Sequence, residues 1–236
     1  MAAYEVDSAR GPLRMRGDAF SGALLALGAA ALFVGTLFYA RLTPQLGLPA
    51  LPAERAQALA DTLSLGAQRL ALAGGSAFLG DCLLLAACIA LASRGRPASE
   101  LESAGWALMS VSVAIAMVFD SMTAALFWPL AQDSDPAPFL AFKAWFDFLF
   151  AAGNVPFGVG FIVVLWADAR AGSPLMPKPL SLFGFAVGGA AAVSGLGYAT
   201  DVLHVPLVIG LTVTFGCVIL AALGVRIARR ARIAEH

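Results

Sequence analysis

Six stretches of this chain are each apolar for long enough to cross a lipid bilayer, and no other property restricts its possible folds so severely. They run over about 19–40, 70–92, 105–128, 139–167, 180–198 and 204–225. A helix of about 20 apolar residues spans the ~30 Å hydrocarbon core of a membrane. Within that core the backbone must satisfy its own hydrogen bonds, which a helix does without help from water. Hydrophobic residues make up 60% of the sequence and charged residues 13%, against roughly 45–50% and about 25% in soluble chains. The expected fold is therefore all-α: one integral membrane domain over residues 1–236, a bundle of six transmembrane helices.

The connections carry the remaining local signals. The first run, which follows Arg10, Arg14 and Arg16, is too long for the apolar part of a signal peptide and reads as an uncleaved first span. Gly22, Gly28 and Gly35 in it, and the Gly184–Gly188 pair in the fifth run, suit close helix approach. In the longest connection Pro44, Pro49 and Pro52 break any helix. Beyond them Ala56, Leu59, Ala60 and Leu63 gather on one face and Glu54, Arg55, Gln57 and Asp61 on the other, the pattern of a short amphipathic surface helix. In the acidic link from Gln132 to Pro136, Asp135 is placed to cap the fourth spanning helix, a better use for these acids than a metal site.

Lys and Arg set the orientation. The N-terminal segment, 93–104, 168–179 and the C-terminal tail hold eleven of them, and the opposite connections hold Arg41, Arg55 and Arg69. Both termini are expected on the cytoplasmic side. The tail arginines Arg226, Arg229, Arg230 and Arg232 read as a plain stop-transfer signal, with contact to anionic headgroups as the less common alternative.

The fourth run contains Lys143, Asp147 and Asn154, which at 100° per residue fall within about 40° of one another on a single helix face. At ~1.5 Å per residue, Lys143 lies roughly 6 Å below the outer surface, Asp147 and Asp120 roughly 12 Å and Asp81 roughly 16 Å. Ionisable groups at such depths cost several kcal/mol unless paired or hydrated. Lys143 and Asp147, four residues apart, can pair on their own helix. That leaves Asp81 and Asp120 to be stabilised by a proton, a cation or water, or by the hydroxyls of Ser112, Ser121 and Thr123. Asn154, just before Pro156, suits local repair of a proline kink better than ligand contact. Most of Trp128, Phe139, Phe142, Trp145 and Phe146 read as an interfacial belt, while some could line an apolar pocket beside the acids that would suit an amphipathic or lipid-like ligand.

Several chemistries find no support. His204 and His236 are too few for a bis-histidine haem or a multi-histidine metal centre. His204 beside Asp201 reads as an ordinary boundary histidine. Cys82, Cys88 and Cys217 lie in apolar runs without a CxxC pair and read as buried, inert thiols. No P-loop, nucleophile elbow or dinucleotide fingerprint is present. No cofactor, metal or nucleic-acid partner is expected.

Three features carry a resemblance: the long first external loop, the segment Leu79-Gly80-Asp81-Cys82-Leu83-Leu84, and the turn from Ser173 through Pro177 to Gly184. In these the chain resembles an uncharacterised family of six-helix bacterial membrane proteins (a domain of unknown function). The resemblance implies a six-helix topology in a bacterial cytoplasmic membrane and supplies neither activity nor site residues.

Two functional readings follow. In the first, an outward-facing polar pocket formed by Asp81, Asp120, Lys143, Asp147 and Asn154 binds or transports a proton, a cation or a small molecule. In the second, the protein is a non-catalytic membrane subunit or sensor that docks a membrane partner, or a second copy of itself, through its Gly/Ala-rich helix faces. An intramembrane enzyme is less well supported, because acid–base groups beyond carboxylates and one lysine are scarce.

Overall fold

A computed structural model describes residues 11–42, 59–60, 62–93, 100–200, 202 and 206–233. Among them the ordered elements are all helical. In chain order they are α1 (Gly11–Leu42), α2 (Ala67–Ala92), α3 (Glu100–Ala125), the short α4 (Phe127–Ala131), α5 (Ala137–Ala169), α6 (Lys178–Ala199) and α7 (Pro206–Ile233). Six of these, all but α4, contain stretches long and apolar enough to cross a membrane. The expected surface helix falls mostly outside the described residues; residues 59–60 and 62–65 of that connection are helical. Asp201, His204 and the side chains of Arg10, Arg14 and Arg16 also lie outside them.

The spanning helices form a closed ring in which each packs against its two neighbours, in the order α1, α2, α3, α5, α6, α7 and back to α1. The α6–α7 seam is the least extensive of the six. Apolar burial contributes little to helix association in lipid, so close backbone approach and shape must hold such a ring. Glycines supply that approach at the other five seams. A Cβ on Gly22 would stand 2.6 Å from the Gly224 carbonyl oxygen of α7, and one on Gly28 would stand 2.8 Å from the Leu84 nitrogen of α2. Gly74 meets the Asp120 carbonyl of α3, Gly105 meets that of Gly160, and Gly158 meets that of Gly188. The outward faces are apolar instead: Leu72, Leu79, Val193 and Leu196 are all more than half exposed, as lipid-facing side chains should be.

Gly22, near the start of α1, packs beside Ala228, near the end of α7, so both helices have these termini at one end of the bundle. Arg170, Lys178, Arg226, Arg229, Arg230 and Arg232 belong to that same end. It is the basic end. The link 132–136 marks the opposite, acidic end. There the third spanning helix stops at Ala125, short of the expected 128. Pro129 has no N–H to offer the Ala125 carbonyl, so the ladder breaks and the chain resumes as α4. The Asp135 carboxylate accepts a 2.9 Å hydrogen bond from the Ala137 N–H at the start of α5, which is the expected capping.

Candidate functional site

The register between neighbouring helices decides which intramembrane polar groups meet. Between α3 and α5 it is fixed by Ser112, whose hydroxyl donates a buried 2.7 Å hydrogen bond to the Gly153 carbonyl. Eight residues along α3 from Ser112 is Asp120, and eight back along the antiparallel α5 from Gly153 is Trp145. Asp120 is therefore level with the gap between Lys143 and Asp147. The rings on either side agree, with Phe119 lying edge-on to Phe146 at 5.5 Å and to Phe150 at 5.1 Å.

Between α2 and α3, Gly74 faces the Asp120–Ala124 segment. Asp81 lies about two turns further towards the basic end. A Cα–Cβ bond tilts towards the N-terminus of its own helix. Because α2 and α3 are antiparallel, Asp81 leans towards the acidic end, Asp120 leans towards the basic end, and the two carboxyl groups converge. They are near enough to act on one another electrostatically. Among the described residues no N–H or O–H donor reaches either Asp81 oxygen.

On α5 the Lys143 ammonium donates to the Asp147 carboxylate, in the expected i, i+4 pair. It also lies 5.0 Å from the Phe146 ring centre, a favourable cation–π placement. Asp81, Lys143 and Asp147 are 0% exposed, Asp120 2% and Asn154 5%, so all five point into protein rather than lipid. The hydroxyls expected as alternative partners for the acids are engaged elsewhere. Thr123 donates to the Phe119 carbonyl and Ser121 to that of Val118, as Ser112 does to Gly153. Asn154 donates 2.7 Å back to the Phe150 carbonyl, one turn earlier in its own helix. The carbonyl that Pro156 deprives of its donor is that of Ala152, not Phe150, and α5 continues through Pro156 without a break.

Above the charged layer, towards the acidic end, sits an apolar cluster of Leu65, Leu70, Phe119, Met122, Phe127, Ala131, Phe139 and Phe146. Phe139 and Phe146, at 0% and 3% exposed, are not in an interfacial belt but in the apolar surroundings of the acids, the other place expected for some of these rings. Trp145, at 51%, does face outward. The Phe127 ring contacts Phe139, Phe142 and Phe146, so α4 folds an aromatic roof over the layer. The sequence does not announce this roof, although Pro129 marks the break that creates it. Below the layer the ring is filled by Leu25, Leu84, Trp106, Met109, Phe161 and their neighbours.

Cys88 and Cys217 are buried, Cys82 is partly so, and all three are unpaired thiols. Among the described residues no three His, Cys, Asp or Glu side chains converge as a metal site. Comparison with known protein families, with curated proteins and with solved structures found no match.

Proposed function

We propose that the buried layer of Asp81, Asp120, Lys143 and Asp147 is a proton- or cation-exchange site in a multi-pass membrane protein. The observation that carries this reading is that the register of α2 on α3 turns the buried Asp81 and Asp120 carboxyl groups towards one another, with no donor among the described residues reaching Asp81. Ionised carboxylates cannot hydrogen-bond one another, so in a site of low dielectric such a pair requires a shared proton or a small cation. Lys143 and Asp147 offset one another, and Asp81, whose oxygens no donor among the described residues reaches, is the acid whose charge the exchangeable ion would balance. Asp120 stands nearest the aromatic roof and Asp81 extends the path inward. Passage to the acidic end requires the rings of Phe127, Phe139 and Phe146 to part, so the closed arrangement reads as one state of a gated route.

The test is infrared difference spectroscopy on reconstituted protein during a pH step, alongside dye-reported proton uptake into the same vesicles. The wild type should show a protonated-carboxyl band that Asp81→Asn and Asp120→Asn each remove, with loss of any uptake. A band and uptake unchanged in both variants would sink the reading.

The rival reading, a subunit or sensor docking through Gly/Ala-rich faces, has less support. Gly22, Gly28, Gly35, Gly184 and Gly188 all pack against the chain's own helices. These glycines are used within the ring, which leaves Gly75, Gly189 and Gly210, where an added Cβ would have no neighbour within 4 Å, open to a partner.

A further inference from the structure

At the basic end, away from the charged layer, a cleft of about 910 Å³ opens between the α5–α6 turn and the last turns of α7. Its upper wall carries Arg226, Arg229 and Arg230, and its floor is apolar, formed mainly by Leu175, Ala221, Ala222 and Val225. Helical spacing explains the arrangement. Ala222, Arg226, Arg229 and Arg230 fall within about 100° on α7, while Leu220, Leu223 and Ile227 are buried on the adjoining face of the helix.

The turn that forms the opposite wall is built rather than loose. Both Asp168 oxygens accept backbone N–H bonds, from Leu175 at 2.7 Å and Met176 at 2.9 Å. Arg226 donates to the Leu175 carbonyl at 2.7 Å, and Arg230 donates to the Ser173 carbonyl at 2.8 Å and to its hydroxyl. These bonds engage some of each guanidinium's five N–H groups and hold both planes in place with donors to spare. The Asp168 carboxylate is turned into its own loop, so the cleft wall keeps an excess of positive charge.

We propose that this cleft is a binding site for an anionic phospholipid. The headgroup phosphate sits against Arg229 and the remaining donors of Arg226 and Arg230, and an acyl chain lies along Ala222 and Val225. The chemistry on each side fits one molecule. A phosphate takes a guanidinium fork bidentately, the arginines stand where an apolar span ends, and the floor continues below them at chain depth. A lipid held there bridges the α5–α6 turn to α7 beside the least extensive seam of the ring, α6–α7.

Native mass spectrometry of the full chain, released from detergent with added phosphatidylglycerol or chain-matched phosphatidylcholine, tests this. The wild type should retain phosphatidylglycerol preferentially. Arg229→Gln, at an exposed residue for which no loop tether is involved, should reduce that retention about fivefold. Ala222→Trp, which fills the acyl track and leaves the charge intact, should also reduce it. Arg232→Gln, outside the cleft, should not. Equal loss in Arg229→Gln and Arg232→Gln would mean a diffuse surface charge and overturn the site. Displacement of the lipid by inorganic phosphate at equal concentration, with Ala222→Trp silent, would assign the arginines to a free anion and overturn the lipid assignment.

Discussion

At the residue scale, the Lys143–Asp147 pair and the Asp81–Asp120 pair differ in how they could be foreseen. The first is written into one helix: a spacing of four residues brings the side chains together wherever the helix lies. The second depends on how far α2 slides along α3, which is set by Gly74 against the Asp120–Ala124 backbone. Depth along the helices puts Asp120 level with Asp147, but it does not say which acids touch. The hydroxyls were the alternative partners, and they instead donate to backbone carbonyls, Ser121 and Thr123 within α3 and Ser112 across to α5. The pair on α5 yields a stability prediction. Removing one member of a buried ion pair strands the other and costs about 3–5 kcal/mol, whereas removing both is far milder. Lys143→Met should therefore lower the thermal midpoint in detergent more than the double variant Lys143→Met/Asp147→Leu does. Equal losses would show that the ammonium's contact with Phe146, not the ion pair, holds that turn.

At the element scale, small residues decide how the helices sit. The glycines of the first and fifth runs were legible as packing positions, and their partners were not, since a GxxxG pattern does not name the surface it meets. Gly158 and Gly188 face one another across α5 and α6; a Cβ on Gly158 would stand 2.3 Å from the Gly188 carbonyl oxygen. Backbone cannot yield as a flexible side chain can. Gly158→Ala should cost about 1–3 kcal/mol, the range for overpacked cores. A methyl group added at Gly189, one residue from Gly188, would have no neighbour within 4 Å. Gly189→Ala should be neutral or stabilise by about 0.5–1 kcal/mol through helix propensity. Thermal unfolding in one detergent separates the two, and a Gly189→Ala loss as large as that of Gly158→Ala would contradict the packing of α6. The short α4 is the element that apolarity concealed: Phe127 and Trp128 extend the third run in composition, and Pro129 ends it in hydrogen bonding.

At the scale of the whole molecule, the ring brings the start of α1 and the end of α7 together, and charge then distinguishes the ends. Among the described residues the basic end carries Arg170, Lys178 and the four arginines of α7, while Arg69 lies at the acidic end. Short basic segments resist translocation, so the expected orientation has the basic end in the cytoplasm. This orientation would put the aromatic roof and the Asp120 side of the buried layer towards the outside, and the arginine-walled cleft against the inner leaflet, where anionic lipid lends it most affinity. The two proposed sites would then serve opposite faces of one ring: one admits an ion, the other anchors the turn beside the α6–α7 seam. Single cysteines decide the orientation. Ser134 and Gly172 are exposed at the acidic and basic ends, and two of the three native thiols, Cys88 and Cys217, are buried. In intact cells a membrane-impermeant maleimide should label Ser134→Cys above the background of the unaltered chain and leave Gly172→Cys unlabelled until the membrane is opened. The reverse pattern would invert the bundle, turn the roof towards the cytoplasm and require the ion route to be gated from inside.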